Sequence, residues 1–291
     1  DTAMYSAKWR RKGSHAVFDV AMHARAVGRL RTEAELRRAV DADELELHYQ
    51  PIIDLDTGEI RAFEALLRWQ HPVRGLLLPK EFLPVAEESG LMPSIGRWVL
   101  DRACQQLRDW RRDGTAAADL RMSVNVSNRQ FWNARLLDDV RASLRAAELT
   151  APALIIEVTE GVIVSDVRAA RTRLGALHDR GVELHIDDFG TGYSSLEALH
   201  QLPIDALKID RSFVARLGTD LRSSELVKTI MLMGGNLGME VIAEGIETEA
   251  QYEHLRRLGA TYGQGYWFAR PAPPAVAGTF FPGQLPLPTA A

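Results

Sequence analysis

The sequence predicts an α/β protein, a (β/α)8 barrel of the TIM type whose first strand is antiparallel to the others. Six short apolar segments in the later part of the chain alternate with amphipathic helical segments, the pattern of parallel strands joined by crossover helices. Two further strand-like segments precede them and complete the eight strands of a closed barrel. With 291 residues and a hydrophobic content of 46%, the chain can bury one large core.

The two opening strands are predicted at residues 44–49 and 60–69. Apolar and polar residues alternate in the first of them, which is the period of a half-buried strand. A turn at residues 56–59 joins the pair as a hairpin, so we expect the first strand to run antiparallel to the second. Helices are predicted next, at Pro79–Ser89, where a proline suits the first turn, and at residues 95–112.

The remaining strands are short apolar segments, each separated from the next by a helical or loop segment. They are predicted at residues 120–126, 153–159, 182–187, 206–210, 240–244 and 260–262. Amphipathic helices lie between them, for example at residues 167–180 and 223–237. This regular alternation favours one large barrel over two small domains.

The barrel is predicted to occupy residues 44–273, with a different kind of segment on either side. Residues 24–43 have the charged and apolar faces of an amphipathic helix, and we expect this helix to be a connector that enters the barrel. Residues 274–291 are rich in proline, so we expect a loose tail.

Composition and charge exclude several classes of protein. The net charge of −4 gives no broad basic surface for polymeric nucleic acid. Cys104 is the single cysteine, so no disulfide can form within the chain, and a small buried thiol is the favoured interpretation. No apolar segment approaches the ~20 residues that span a bilayer. We therefore expect a soluble, cytoplasmic molecule without membrane contact of its own, although its parent protein can be anchored upstream.

Charged and amide side chains end several of the predicted strands. In a parallel barrel the C-terminal ends of the strands open onto one face, where active sites are built. At any single position, a polar residue that merely ends a strand is the more common explanation, but the convergence of several favours a functional site. The residues of this kind are Glu64, Asn125, Glu157, Asp187, Asp188, Lys208, Asp210, Glu244 and Gln264.

The carboxylates of this set predict a site for divalent metals. Several carboxylates at one mouth would repel each other unless cations neutralised them, and oxygen ligands select hard ions such as Mg²⁺ or Mn²⁺. The adjacent pair Asp187 and Asp188 predicts two ions, with one carboxylate bridging them, an arrangement that serves displacement at phosphorus. The sequence has no clustered cysteines or closely spaced histidine pair suited to zinc.

Three neighbouring features have two interpretations each. Lys208 can orient an attacking water or simply form an ion pair with one of the acids. The glycine loop at residues 189–195 can be a mobile loop that shapes the site or only a turn. Arg68 can contact a phosphate with both guanidinium arms or form a surface ion pair.

The sequence resembles the EAL-domain cyclic di-GMP phosphodiesterases over most of the chain. The name of that family comes from the motif Glu64-Ala65-Leu66, and a long, ordered set of further motifs is present. These are Tyr49-Gln50-Pro51, Asn125-Val126-Ser127, Glu157-Val158-Thr159-Glu160, Asp187 to Gly192, Lys208-Ile209-Asp210, Ala243 to Glu247 and Gln264-Gly265-Tyr266.

The resemblance implies a set of metal ligands. Glu64, Asn125, Glu157 and Asp187 would bind one Mg²⁺ or Mn²⁺, and Asp187 and Asp188 would hold the second. Family members that only bind the dinucleotide typically lack some of these ligands, whereas this chain has all of them. The implied reaction is hydrolysis of cyclic di-GMP to linear pGpG, which lowers the concentration of a bacterial second messenger; the alternative is a catalytically silent receptor for cyclic di-GMP.

The resemblance also implies roles for residues around the metals. Lys208 would position the attacking water, Glu244 would act as a base or orient other groups, and Glu247 would anchor the glycine loop that follows Asp188. The residues expected to contact the substrate or complete its hydrogen-bonded surroundings are Gln50, Arg68, Asp210 and Gln264.

The N-terminal residues carry a second resemblance. Residues 1–8 are similar to the last helix of a GGDEF diguanylate cyclase domain, so residues 1–23 are expected to be the C-terminal remnant of such a domain. The parent protein would then carry a GGDEF domain, and possible sensor domains, upstream of the barrel. The resemblance further implies a homodimer formed through the barrels.

Overall fold

The computed structural model of the protein describes residues 20–192, 199–218 and 220–281. The chain divides into two compact units. The smaller contains the described part of residues 1–46 together with residues 68–95, and the larger contains residues 47–67 and the described part of residues 96–291. No helix in these described ranges is both long and apolar enough to cross a membrane.

The strands form one sheet that closes on itself as a barrel. Their order is β1-β9-β8-β7-β6-β5-β4-β2-β3, and an additional pairing of β1 with β2 closes the eight-stranded ring and leaves β3 outside it. Their bounds are β1 Leu45–Asp54, β2 Ile60–His71, β3 Gly75–Leu77, β4 Arg121–Asn125, β5 Leu154–Thr159, β6 Glu183–Phe189, β7 Ala206–Ile209, β8 Glu240–Glu244 and β9 Tyr262–Gln264.

The orientation of the strands confirms the predicted fold. β1 pairs antiparallel with β9, with Ile53 opposite Gly263. The ladders from β2 through β4, β5, β6, β7 and β8 to β9 are all parallel. The molecule therefore contains the predicted (β/α)8 barrel with an antiparallel first strand, and the strand ends of its parallel members share one mouth.

Helices connect the strands of the barrel and form most of the smaller unit. Their bounds are α1 Val20–Ala39, α2 Pro79–Ser89, α3 Met92–Arg112, α4 Asn128–Phe131, α5 Leu136–Ala146, α6 Glu160–Val164, α7 Val167–His178, α8 Arg211–Val214, α9 Leu221–Leu237, α10 Glu249–Arg257 and α11 Pro274–Ala277. Local capping explains where several begin. The Asp166 side chain accepts a hydrogen bond from the backbone N–H of Ala169 and caps α7, and Thr248 caps α10 in the same way through Gln251.

The smaller unit is built from α1, α2, β3 and the last part of β2. Its buried groups include Leu36, and the His71 ring lies 3.1 Å from a Glu35 oxygen. The predicted connector helix at residues 24–43 corresponds to α1, which begins at Val20 and ends at Ala39. Of the predicted cyclase remnant at residues 1–23, residues 1–19 lie outside the described part of the chain.

The C-terminal segment is ordered further than the expected loose tail at residues 274–291. Backbone hydrogen bonds join Ala272 to Tyr49 in both directions, at 2.8 and 3.1 Å. The Phe281 ring then packs against Phe63 and Trp110, with ring centroids 5.4 and 5.7 Å apart. Pro273 and Pro274 stand at the start of α11, a position at which proline favours a helix. Residues 282–291 lie outside the described residues.

Candidate active site

Strand geometry places six of the predicted site residues on one layer of the barrel interior. Inward-pointing side chains alternate with outward-pointing ones, so residues two apart point the same way. One interior layer is a buried cluster of Ile52, Ala62, Ile155, Ala206, Ile242 and Tyr262. The residues two positions nearer the mouth on the same six strands are Gln50, Glu64, Glu157, Lys208, Glu244 and Gln264. The apolar layer thus lies directly beneath the polar layer, farther from the mouth of the barrel.

Strand register brings other predicted site residues next to this polar layer and pairs its members with each other. Asn125 on β4 is the register partner of Glu157 on β5, and Glu244 on β8 is the partner of Gln264 on β9. The predicted convergence of side chains from separate strands is therefore present in the fold.

Lys208 occupies the centre of the polar layer. Its Nζ lies 2.6 Å from oxygens of both Glu157 and Glu244, 3.6 Å from Glu64 and 3.7 Å from Asp187. The side chains of Lys208 and Glu157 are completely buried. A buried ammonium is tolerated only where opposite charges and hydrogen bonds replace water, and here four carboxylates do so.

Burial and mutual repulsion change the protonation of this cluster. Burial alone would lower the pKa of Lys208, but the surrounding carboxylates outweigh it, so the pKa is raised and the ammonium form is favoured. Burial raises the pKa of Glu157, against the opposing effect of Lys208. Burial likewise raises the pKa of Glu244 to about 8. Burial, followed by repulsion from Asp187, raises the pKa of Asp188 to about 6.

The backbone at the end of β6 turns so that two consecutive carboxylates lie at the same mouth of the barrel. Successive residues of a regular strand point to opposite faces. Asp188 instead has φ of 54°, in the left-handed region, and the register of β6 with β7 shifts between Ile186 and Phe189. As a result, ligand atoms of Asp187, Asp188 and Glu244 all lie within 4.8 Å of one another. Strained backbone of this kind is characteristic of functional sites.

A chain of amide hydrogen bonds holds Glu64. The Ala269 carbonyl can only accept, and it accepts from Nε2 of Gln50 at 2.9 Å. Gln50 Oε1 then accepts from Nε2 of Gln264 at 2.9 Å, and the same Nε2 donates to Glu64 at 2.7 Å. The second oxygen of Glu64 accepts from Asn125 Nδ2 at 2.5 Å. The orientation of both glutamine amides thus follows from one backbone carbonyl.

The glycine loop after Asp188 is held by Glu160. One oxygen of the Glu160 carboxylate accepts from the backbone N–H groups of Gly190 and Gly192, at 3.3 and 3.1 Å. Glu160 belongs to one of the family motifs, but its role was missed because the resemblance implied Glu247 as the anchor. Glu247 lines the cavity above the polar layer; its role stays a prediction, since loop residues 193–198 lie outside the described part of the chain.

A cavity of about 230 Å³ opens above the polar layer. Its lining includes Glu64, Asp187, Glu244 and Gln264, together with Arg211 and Tyr266. The Tyr266 ring is half exposed, and the Arg270 guanidinium lies 4.2 Å from its centroid.

Gly245 sets the approach of Arg211 to this cavity. Its φ is +71°, and a Cβ added there would lie 2.5 Å from the Cβ of Arg211. Sequence reasoning missed Arg211 because an arginine at the start of a short helix carries no signal of its own.

Two predicted substrate contacts have other surroundings in the structure. Asp210 caps α8 by accepting from the backbone N–H of Ser212 at 3.1 Å and from its hydroxyl, and it helps to raise the pKa of Asp188. Arg68 is buried on the part of β2 that belongs to the smaller unit, and it has interaction partners there or elsewhere in the chain. Substrate contact by either residue stays a prediction.

Ser123 was also missed by the sequence analysis. Its hydroxyl donates to Glu157 at 2.6 Å, so both oxygens of this buried carboxylate are engaged, one by Ser123 and one by Lys208. The available signal was the spacing of two between Ser123 and Asn125, which places both side chains on the inward face of β4.

Comparison with known proteins links this site to a family. The model of the EAL domain matches residues 33–271. A bifunctional diguanylate cyclase/cyclic di-GMP phosphodiesterase, MucR of Pseudomonas aeruginosa, is 44% identical over 273 residues, which are 94% of this chain and 40% of MucR. The cyclic di-GMP phosphodiesterase PdeR of Escherichia coli is 39% identical over 277 residues, 95% of this chain and 41% of PdeR. The chain thus spans well under half the length of these relatives.

A solved structure has the same barrel with a bound dinucleotide. The phosphodiesterase PaMucR in complex with c-di-GMP matches with a TM-score of 0.82 and 44% sequence identity. The match covers 85% of this chain and 99% of that one.

Proposed function

Because this chain belongs to the EAL domain family, we propose that it hydrolyses one phosphodiester bond of cyclic di-GMP and releases linear pGpG. The observation that carries the proposal is the position of Lys208 among four carboxylates at the mouth of the barrel. The names of the relatives, which include cyclic di-GMP phosphodiesterases, support the substrate.

The donor set fits divalent cations of the Mg²⁺ or Mn²⁺ type. Every candidate ligand offers oxygen, the donor that these ions prefer. Asp187, Asp188 and Glu244 are already grouped. Among the described residues, Gln264 Oε1 is a buried acceptor without a partner.

We assign the metal ligands as the resemblance implies. Glu64, Asn125, Glu157 and Asp187 would hold one cation, and Asp187 and Asp188 the second. Two such cations would supply Lewis acidity at the phosphate and make water a better nucleophile.

The chain's own residues then supply positioning and proton transfer. The fixed ammonium of Lys208 can orient a water and stabilise negative charge that develops on the phosphate oxygens. Glu244, whose carboxylate lines the cavity and lies 2.6 Å from Lys208 Nζ, is placed to accept a proton from the attacking water. Glu160 keeps the glycine loop against the site through its two backbone hydrogen bonds.

Binding of the dinucleotide uses the upper wall of the cavity. The substrate phosphates are anionic, and Arg211 is the one arginine or lysine among the described residues that line this cavity. The Arg270 guanidinium lies over one face of the half-exposed Tyr266 ring, and we expect the opposite face to stack on a guanine. The cavity wall therefore supplies complementary groups for both chemical parts of the substrate.

Assembly and location are part of the same proposal. We expect the chain to act in the cytoplasm as a homodimer, with GGDEF and sensor domains upstream in its parent protein.

The test is direct product analysis. Purified chain is incubated with cyclic di-GMP in Mg²⁺, in Mn²⁺ and in EDTA, and the nucleotides are separated by chromatography. We expect pGpG in the presence of either metal and none in EDTA. Saturable binding without product in both metals would contradict hydrolysis and favour the receptor.

A further inference from the structure

A second, larger cavity lies away from the mouth of the barrel. Its volume is about 450 Å³, roughly twice that of the cavity above Lys208. It is formed by one face of α5, the turn that precedes β5, and the residues just before β6. β5 and β6 carry Glu157 and Asp187 toward their opposite ends. The two cavities therefore open at different ends of these strands.

The floor of this cavity is apolar. Its apolar lining consists of Leu137, Val140, Leu144, Leu149, Ala151 and Val182. A concave, mostly apolar recess of a few hundred Å³ with a few charged groups is the usual form of a small-molecule site.

The remaining lining residues are all cationic. They are Arg141, Arg145 and Arg180. Within the described ranges, the side chains of Arg141 and Arg145 have no ion-pair or hydrogen-bond partner. The Arg180 guanidinium donates only to the backbone carbonyl of Ala176, four residues earlier in the chain. No carboxylate faces these guanidinium groups from the lining of the cavity. The lining thus complements an anion attached to an apolar body.

We propose that this cavity, which we call the arginine-rimmed cavity, binds a free medium-chain fatty acid or a close analogue. The alkyl chain lies against Leu137, Leu149 and Ala151, the part-exposed apolar residues of the lining. The carboxylate is held at the rim by Arg141 and Arg145. A guanidinium–carboxylate pair is charge-assisted, so the head group contributes to affinity as well as to orientation.

The experiment is isothermal titration of the whole chain with decanoate below its micelle concentration. Decan-1-ol and decyltrimethylammonium serve as neutral and cationic probes with the same alkyl chain. We expect one decanoate to bind per chain, about tenfold or more tighter than the alcohol, with no saturable binding of the ammonium compound. Failure of decanoate to saturate, or equal affinity for the alcohol, would overturn the proposal.

Variants separate the site from general charge effects. The double variant Arg141→Gln/Arg145→Gln should weaken decanoate binding about tenfold or more. The matched control is Arg168→Gln/Arg171→Gln, which removes two exposed arginines of α7 that do not line the cavity, and it should leave the affinity unchanged. Equal weakening in both double variants would refute the assigned head-group contact. The result is independent of catalysis, since no nucleotide is present.

Discussion

The amide chain behind Glu64 gives the sharpest prediction for a single side chain. Gln50→Leu removes the bond to the Ala269 carbonyl and the bond from Gln264, both of 2.9 Å. It leaves that carbonyl and one N–H of Gln264 buried without partners, at about 1–3 kcal/mol each. After the added apolar burial offsets part of this cost, we expect the free energy of unfolding to fall by about 2–4 kcal/mol.

The same substitution separates positioning from substrate contact. Both the Nε2 and the Oε1 of Gln50 already form hydrogen bonds within the protein. The substitution should therefore affect catalysis by displacing Gln264, which in turn holds Glu64. We expect kcat to fall about tenfold while KM changes less, because an interaction that matters mainly for the transition state is weakened. A direct contact of Gln50 with substrate, as the resemblance implies, would instead raise KM and leave kcat unchanged.

The assay is a double-mutant cycle on Gln50→Leu, Gln264→Leu and the pair. Denaturant unfolding gives the free energies, and steady-state hydrolysis of cyclic di-GMP gives kcat and KM. Since the two amides share one hydrogen bond, we expect a coupling energy of about 1–2 kcal/mol, with the pair less destabilised than the sum. Additive free energies, together with an increase in KM alone, would refute the amide chain as the support of Glu64.

Four further predictions follow from other parts of the structure. Glu160→Ala should lower kcat about tenfold, because the glycine loop loses its acceptor; unchanged kcat would contradict this. Tyr266→Ala should raise KM about tenfold, whereas Tyr266→Phe keeps the stacking ring and should keep KM; equal effects of both would count against stacking. Phe281→Ala should lower the free energy of unfolding by about 2–4 kcal/mol in urea, and a loss under about 0.5 kcal/mol would show that the C-terminal packing is unimportant. Burial raises the pKa of the Cys104 thiol to about 12, so it should react with a disulfide reagent only after unfolding; rapid reaction in the native state would contradict its burial.

Most of the barrel could be predicted because strand and helix periods are local properties of the sequence. The least accurate strands are those with unusual residues. β1 was predicted to end at residue 49, but it continues to Asp54 through Pro51, a residue that normally argues against a strand interior. β9 was placed too early because glycine is poor in strands; a Cβ at Gly263 would lie 2.6 Å from Ile246 and 2.7 Å from Leu55. Glycine is required at position 263 because Ile246 and Leu55 pack closely against it, and this packing cannot be read from the sequence.

The position of the candidate site could be predicted from the sequence, but the hydrogen-bond partners that hold its side chains in place could not. The ends of parallel strands meet at one mouth, so the polar residues that end them could be grouped from the order of strands along the chain. The partners that hold them are distant in sequence: Ser123 donates to Glu157, and Gln50 orients Gln264. Such partners depend on barrel closure and strand register, which local patterns do not determine.

The most direct test of the central claim is hydrolysis of cyclic di-GMP as a function of Mn²⁺ concentration by three proteins. These are the unmodified chain, Glu64→Gln, and the control Glu59→Gln, which changes an exposed glutamate in the turn before β2. We expect the unmodified chain and the control to form pGpG with the same saturable dependence on Mn²⁺, and Glu64→Gln to lose activity about a hundredfold or more. Full, metal-independent activity of Glu64→Gln would contradict the assignment of hydrolysis to the polar layer at the mouth of the barrel.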